Sequence, residues 1–149
     1  MSTSNNGNTI KILLIEDNPG DIRLTREALT EAEFPNSLMV LDDGEKALDY
    51  LNKTGEYASM DTPDLILLDL NLPKKSGHEI LSAVKADSEL KKIPVVILTG
   101  SSREKDILES YNSYANCYIV KPTNIEQFIE MIRETGTFWS SVVESAPKH

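Results

Sequence analysis

Asp64-Leu65-Ile66-Leu67-Leu68-Asp69-Leu70-Asn71-Leu72-Pro73 is the stretch on which the fold turns. Residues 65–68 are apolar without alternation, the pattern of a strand covered by helices on both faces. Similar runs lie on either side of it, Ile10-Lys11-Ile12-Leu13-Leu14-Ile15 and Val95-Val96-Ile97-Leu98, and shorter ones at Leu38-Met39-Val40-Leu41 and Tyr118-Ile119-Val120. The segments between carry helical spacing: Ile22, Thr25, Leu29 and Ala32; Ala47, Leu48 and Leu51; Gly77, Ile80, Leu81 and Val84; Ile107, Leu108 and Tyr111. Ser76-Gly77 and Asp42-Asp43-Gly44 resemble helix openings. Lys53 to Pro63 lacks periodicity and reads as a long loop. Strand and helix alternating about five times is the signature of a doubly wound α/β parallel sheet, with runs one, three and four as its central strands.

In such a sheet, ligands bind outside the carboxyl ends of the strands. Four of those ends carry chemistry: Glu16-Asp17 after run one, Asp69 after run three, Thr99-Gly100 after run four and Lys121-Pro122 after run five. Three carboxylates held together repel one another unless a cation joins them. Oxygen-only donors favour Mg²⁺ or a similar hard ion, which shares its coordination between carboxylates, water and phosphate oxygens. A metal beside an aspartate lets that carboxylate attack phosphorus and form an aspartyl phosphate. The Lys121 amine could then pair with carboxylate before reaction and phosphoryl oxygen after it, and the Thr99 hydroxyl could donate to another phosphoryl oxygen. Taken singly, each acid is equally readable as a cap or turn former, and Glu16-Asp17-Asn18-Pro19-Gly20 is rich enough in turn residues to be only a turn. It is the convergence of these positions that points to a site.

Leu13-Leu14-Ile15-Glu16-Asp17-Asn18, the 64–73 stretch with Gly77 following, Val95 to Gly100 and Tyr118-Ile119-Val120-Lys121-Pro122 together resemble the response-regulator receiver domains of two-component signalling. The resemblance covers about 10–132. It implies a flavodoxin-like (βα)5 fold with strand order 2-1-3-4-5, in which Asp69 accepts a phosphoryl group from a phosphohistidine on a partner sensor histidine kinase. By motif position, Asp17, Asp69 and the backbone carbonyl of Asn71 would hold Mg²⁺, with Glu16 assisting through water. Thr99 would be the switch hydroxyl, Lys121 the phosphate-pairing amine and Lys121–Pro122 a cis peptide. Tyr118 matches the aromatic switch of many relatives and is equally readable as a half-buried strand residue. Asp69-Leu70-Asn71-Leu72-Pro73-Lys74-Lys75, the loop with Gly55-Glu56-Tyr57, Asn116-Cys117-Tyr118 and Phe138-Trp139 further resemble stand-alone regulators of the cyanobacterial-phytochrome type. Such proteins often dimerise through the face made by the fourth helix, fifth strand and fifth helix, and the kinase partner implied is a phytochrome-like one.

The chain's 149 residues suit one domain. The expected division is a flexible leader at 1–9, one receiver domain with an extended C-terminal helix at 10–143, and a tail at 144–149. The stretch after Lys121 is short for a last helix plus a DNA-binding domain, so the signal is expected to leave by protein contact. Ile125, Phe128, Ile129 and Ile132 form a core stripe there. Met131, Phe138 and Val142, with Trp139 and Val143, lie off it, suiting a homodimer contact or a fold back onto the core.

A net charge of −9 makes nucleic acid and anionic membrane poor partners. No apolar run spans a bilayer and the N-terminus is no signal peptide, so the chain reads as cytoplasmic. One cysteine and two histidines make zinc improbable, and Cys117 reads as a buried filler. Enzymatic turnover is not expected beyond slow self-dephosphorylation. Aspartyl phosphatases of the haloacid-dehalogenase type place an acid two residues after the nucleophile, where this chain has Asn71. Flavin binding is opposed by the acids after run one, and the intact key positions weigh against a receiver used only for docking.

Overall fold

Six residues of β1 (Ile10–Ile15) are enough to show how the apolar runs are used. Ile10, Ile12 and Leu14 face one side of the sheet, where they pack with Ala28, Leu29, Leu65, Leu67, Val96 and Leu98. Leu13 and Ile15 face the other, with Leu41, Tyr50, Ile66, Leu68, Ile80, Val84 and Ile97. Both faces being apolar from Ile12 onward, that part of the strand has no polar side to show, which is why the run Ile12–Ile15 is unbroken and only Lys11, near the strand's start, is exposed. The computed structural model describes residues 9–31, 35–70, 72, 74, 76–100, 117–120 and 130.

Within these residues the chain order is β1, α1 (Pro19–Thr30), β2 (Asn36–Leu41), α2 (Gly44–Leu51), a 3-10 turn (Gly55–Tyr57), β3 (Leu65–Asp69), α3 (Gly77–Ala86), a second 3-10 turn (Leu90–Lys92), β4 (Val95–Thr99) and β5 (Cys117–Val120). The strands form one parallel sheet in the order β2-β1-β3-β4-β5, as the resemblance implies. Its register places Ile15 beside both Leu41 and Leu68, Asp69 beside Leu98, and Thr99 beside Val120. The carboxyl ends of the strands therefore share one edge, with three central strands flanked by β2 and β5.

The helix openings follow side-chain chemistry visible in the sequence. Ser76 and Glu79 form a capping box, the Ser76 hydroxyl accepting from the Glu79 amide at 3.3 Å and the Glu79 carboxylate from the Ser76 amide at 3.0 Å. Asp43 caps α2 by accepting from the Lys46 amide at 2.8 Å. In α1 the buried stripe is Thr25, Ala28 and Leu29, with Ile22 only half-buried. Thr25 tolerates burial because its hydroxyl donates to the Asp21 carbonyl at 2.9 Å.

Two segments differ from the sequence reading. The strand boundaries are wider, β2 starting at Asn36 and β5 taking in Cys117. The 53–63 segment is organised by tertiary contact: the Tyr50 and Tyr57 rings pack 5.5 Å apart at 60°, and Tyr50 donates its hydroxyl hydrogen to the Asp61 carbonyl at 3.3 Å. No helix among the described residues is long and apolar enough to cross a membrane. The expected fourth-helix stripe, the leader, the C-terminal apolar surface and the 144–149 tail lie outside the described residues.

Candidate functional site

Glu16 and Asp17 follow β1 directly, and Asn18 then opens α1 by accepting from the Asp21 amide at 2.9 Å, with Pro19 in the first turn. The Glu16-to-Gly20 segment is thus a helix cap, as its composition allowed, and it also delivers two acids to the sheet edge. Glu16 is held at both ends of its residue: its amide donates to the Leu41 carbonyl at 3.0 Å, and its carboxylate accepts from the Asn18 amide at 3.3 Å. It is fully buried, Asp69 nearly so, and Asp17 is exposed. One carboxylate oxygen from each of Glu16, Asp17 and Asp69 lies within 4.8 Å of the others.

Such a trio is electrostatically costly by itself, because like charges in a low-dielectric setting disfavour joint ionisation. A hard divalent cation fits the arrangement: all donors are oxygens, two arms come from a rigid strand-to-helix turn and one from a central strand, and one arm remains open to solvent. Thr99 is the last residue of β4 and Tyr118 lies on β5. Thr99 stands one position beyond Leu98, the residue paired with Asp69 on the neighbouring strand, and Val120 beside it leads into Lys121. Asn71, Lys121 and Pro122 lie outside the described residues, so the amine, the carbonyl ligand and the cis peptide are not positioned here.

Two features beside the acids carry more than the sequence reading assigned them. Gly77 was legible as part of a helical stripe, yet its backbone is pressed against the end of β3. A Cβ there would lie 2.6 Å from the Asp69 carbonyl oxygen and 2.7 Å from the Leu70 Cα, and the Gly77 amide donates to the Leu70 carbonyl at 3.1 Å. Only glycine permits that approach, so it sets where α3 meets the strand that bears Asp69. Lys74, in the same loop, had no signal of its own; its backbone is left-handed, with φ 69°. His78 is exposed on α3, in keeping with a solvated helix position.

A parallel 2-1-3-4-5 sheet with clustered acids at its carboxyl edge defines the receiver class, and comparison with known proteins agrees. The response regulator receiver domain family matches residues 12–133. Response regulator Rcp1 of Synechocystis sp. is 43% identical over 132 residues, covering 89% of this chain and 90% of that protein. Among solved structures, the phosphorylated cyanobacterial phytochrome response regulator RcpA superposes with a TM-score of 0.84 at 48% identity, covering 90% of this chain and 96% of that one. The Mn²⁺-bound form of Rcp1 superposes with a TM-score of 0.82 at 41% identity, covering 94% and 99%. The chain belongs to the response regulator receiver domain family. Receiver domains accept a phosphoryl group rather than turn over a substrate in the ordinary enzymatic sense.

Proposed function

We propose that this chain is a stand-alone phosphorylation switch in which Asp69 accepts a phosphoryl group from the phosphohistidine of a sensor histidine kinase. The observation that carries this reading is the meeting of Glu16, Asp17 and Asp69 at the carboxyl edge of the sheet. An Asp69 carboxylate oxygen forms the new bond to phosphorus as the bond to the kinase imidazole nitrogen breaks, and the imidazole leaves with that electron pair. Hydrolysis by water later returns the carboxylate and inorganic phosphate, as slow self-dephosphorylation.

Asp17, Asp69 and the Asn71 backbone carbonyl would hold Mg²⁺, with Glu16 acting through water. The ion supplies charge neutralisation for the incoming phosphoryl oxygens. Glu16, fixed by the Leu41 carbonyl and the Asn18 amide, keeps the first two acids in register with Asp69. Thr99 is the switch hydroxyl and Lys121 the phosphate-pairing amine, and Tyr118 follows as the aromatic switch. Charge added at Asp69 is read by these residues and changes the face of the fourth helix, fifth strand and fifth helix.

That face binds protein partners or a second copy of the chain, in the cytoplasm and without direct nucleic-acid contact, as the net charge of −9 favours. Residues 10–143 act as the single receiver unit, between the 1–9 leader and the 144–149 tail. Similarity to RcpA, a phytochrome response regulator, supports a phytochrome-like kinase. Asp69→Asn is expected to abolish labelling by acetyl phosphate with Mg²⁺; persistent labelling would place the acceptor elsewhere. Sedimentation velocity with and without beryllofluoride tests the dimer, a mass shift confined to the wild type being the expected result.

A further inference from the structure

We propose that Lys74 is a positioning residue for the phosphoacceptor site, clamping the loop after Asp69 to the first turn of α2; this rests on the metal and phosphoacceptor reading above. The loop between β3 and α3 is closed at its base by the Gly77 amide on the Leu70 carbonyl, and Leu70 itself donates to the Leu98 carbonyl at 3.4 Å. Lys74 lies beyond that base, toward the tip. There, Lys74 adopts a left-handed backbone that residues bearing a Cβ seldom take, a conformation that persists where surrounding contacts hold it.

The side chain shows what those contacts are. Its Nζ lies 3.8 Å from the Asp43 Oδ2 and 3.8 Å from the Glu45 Oε1. Asp43 is a firm anchor: it is buried, and its other oxygen is engaged by the Lys46 amide as the cap of α2. It also follows closely on Leu41, whose carbonyl accepts from the Glu16 amide. A single ammonium thereby ties the loop leaving Asp69 to the turn that is bonded to Glu16, so the segments carrying the acids are braced against one another. In the sequence, Asn71, whose carbonyl is assigned above to the metal, lies between Asp69 and Lys74. Loosening the tip weakens metal capture without altering the Asp69 carboxylate, so the effect falls on affinity and not on the maximal rate of phosphoryl acceptance.

The test titrates the full chain with Mn²⁺ by isothermal calorimetry and follows acetyl phosphate labelling across Mg²⁺ concentrations, in wild type, Lys74→Gln and Lys74→Arg. Lys74→Gln is expected to bind Mn²⁺ about three- to fivefold more weakly, the size an exposed ion pair supports. Its half-saturating Mg²⁺ should rise by a like factor with the maximal labelling rate unchanged, and Lys74→Arg should return both to near the wild-type values. General structural damage would instead lower the maximal rate and the thermal midpoint together, which overturns the clamp. So does wild-type Mn²⁺ affinity in Lys74→Gln, with wild type itself binding normally. A wild-type protein that takes up no Mn²⁺ brings down the metal reading, and the clamp with it.

Discussion

The two ends of the sheet use aspartate in opposite ways. At the amino end, Lys11 matches the acids one for one: its amide donates to the Asp64 carboxylate at 2.9 Å and its Nζ meets the Asp61 carboxylate at 2.8 Å. That direct hydrogen bond holds the Asp61 carboxyl below its ordinary range and raises the Lys11 amine. At the carboxyl end, Glu16, Asp17 and Asp69 converge instead on one another. The first arrangement ties the 53–63 segment to β1; the second gathers carboxylate oxygens at a strand edge in a set that fits a hard cation. The acids bonded to Lys11 tie remote segments together, whereas those at the strand edge bring three sets of oxygen donors to one place.

Adding Mg²⁺ is the largest way to sharpen that contrast. At a hundredfold excess over its Kd, the ion should stabilise the wild type by about 2.7 kcal/mol. Asp17→Asn should lose most of that gain in a thermal melt, while Asp61→Asn keeps it. An equal gain in all three proteins would erase the distinction between the two ends.

Next in size is Gly77→Ala, which drives a methyl into the Asp69 and Leu70 backbone and should cost about 1–3 kcal/mol by urea denaturation. It should also slow acetyl phosphate labelling, because the strand end must shift; a substitution that costs stability and leaves labelling intact would show the contact to be packing alone.

At the amino end the effects are smaller. Tyr50→Phe removes the hydroxyl that donates to the Asp61 carbonyl and should cost about 1 kcal/mol with no change in Mg²⁺ affinity.

The smallest effect is the pH response of the Lys11 pair. Asp61 is lowered in the folded state, so its contribution is fully present above the ordinary carboxylate value of about 4 and is lost as pH falls through the lowered one. Lys11 is raised, so its part is present below about 10.4 and fades only as pH rises through the higher folded value. The pair therefore acts across the whole neutral range. Lys11→Met should flatten the acid limb of the stability profile measured by urea midpoints, and high salt should mimic the substitution.

Much of this was legible residue by residue. The unbroken run at Leu65–Leu68 announced a strand buried on both faces, and Ser76 and Asp43 announced helix openings, because strand burial and capping depend on short stretches of chain. Glu16, Asp17 and Asp69 were legible as strand-end acids once a parallel sheet was expected. The 3-10 turn at Gly55–Tyr57 was not, since Tyr57 finds its place against Tyr50 and Gly55 supplies a φ of 59° that no periodicity signals. The ion contacts of Lys74 were not legible either: a pairing between a loop and a remote helix opening leaves no mark on either segment.

The sequence by itself determined the doubly wound sheet, the order in which acids, hydroxyl and amine follow the strands, and the caps that start the helices, because these follow from patterning and from bonds between near neighbours in the chain. The tertiary structure decided what depends on distance between remote segments. Glu16 and Asp69 stand 53 positions apart in the chain, and only β1 pairing beside β3 brings their oxygens within 4.8 Å. The same holds for the 2.6 Å that forbids a side chain at Gly77 and for the reach of Lys74 to Asp43 and Glu45, since packing and Coulomb attraction act through space and carry no signature along the chain.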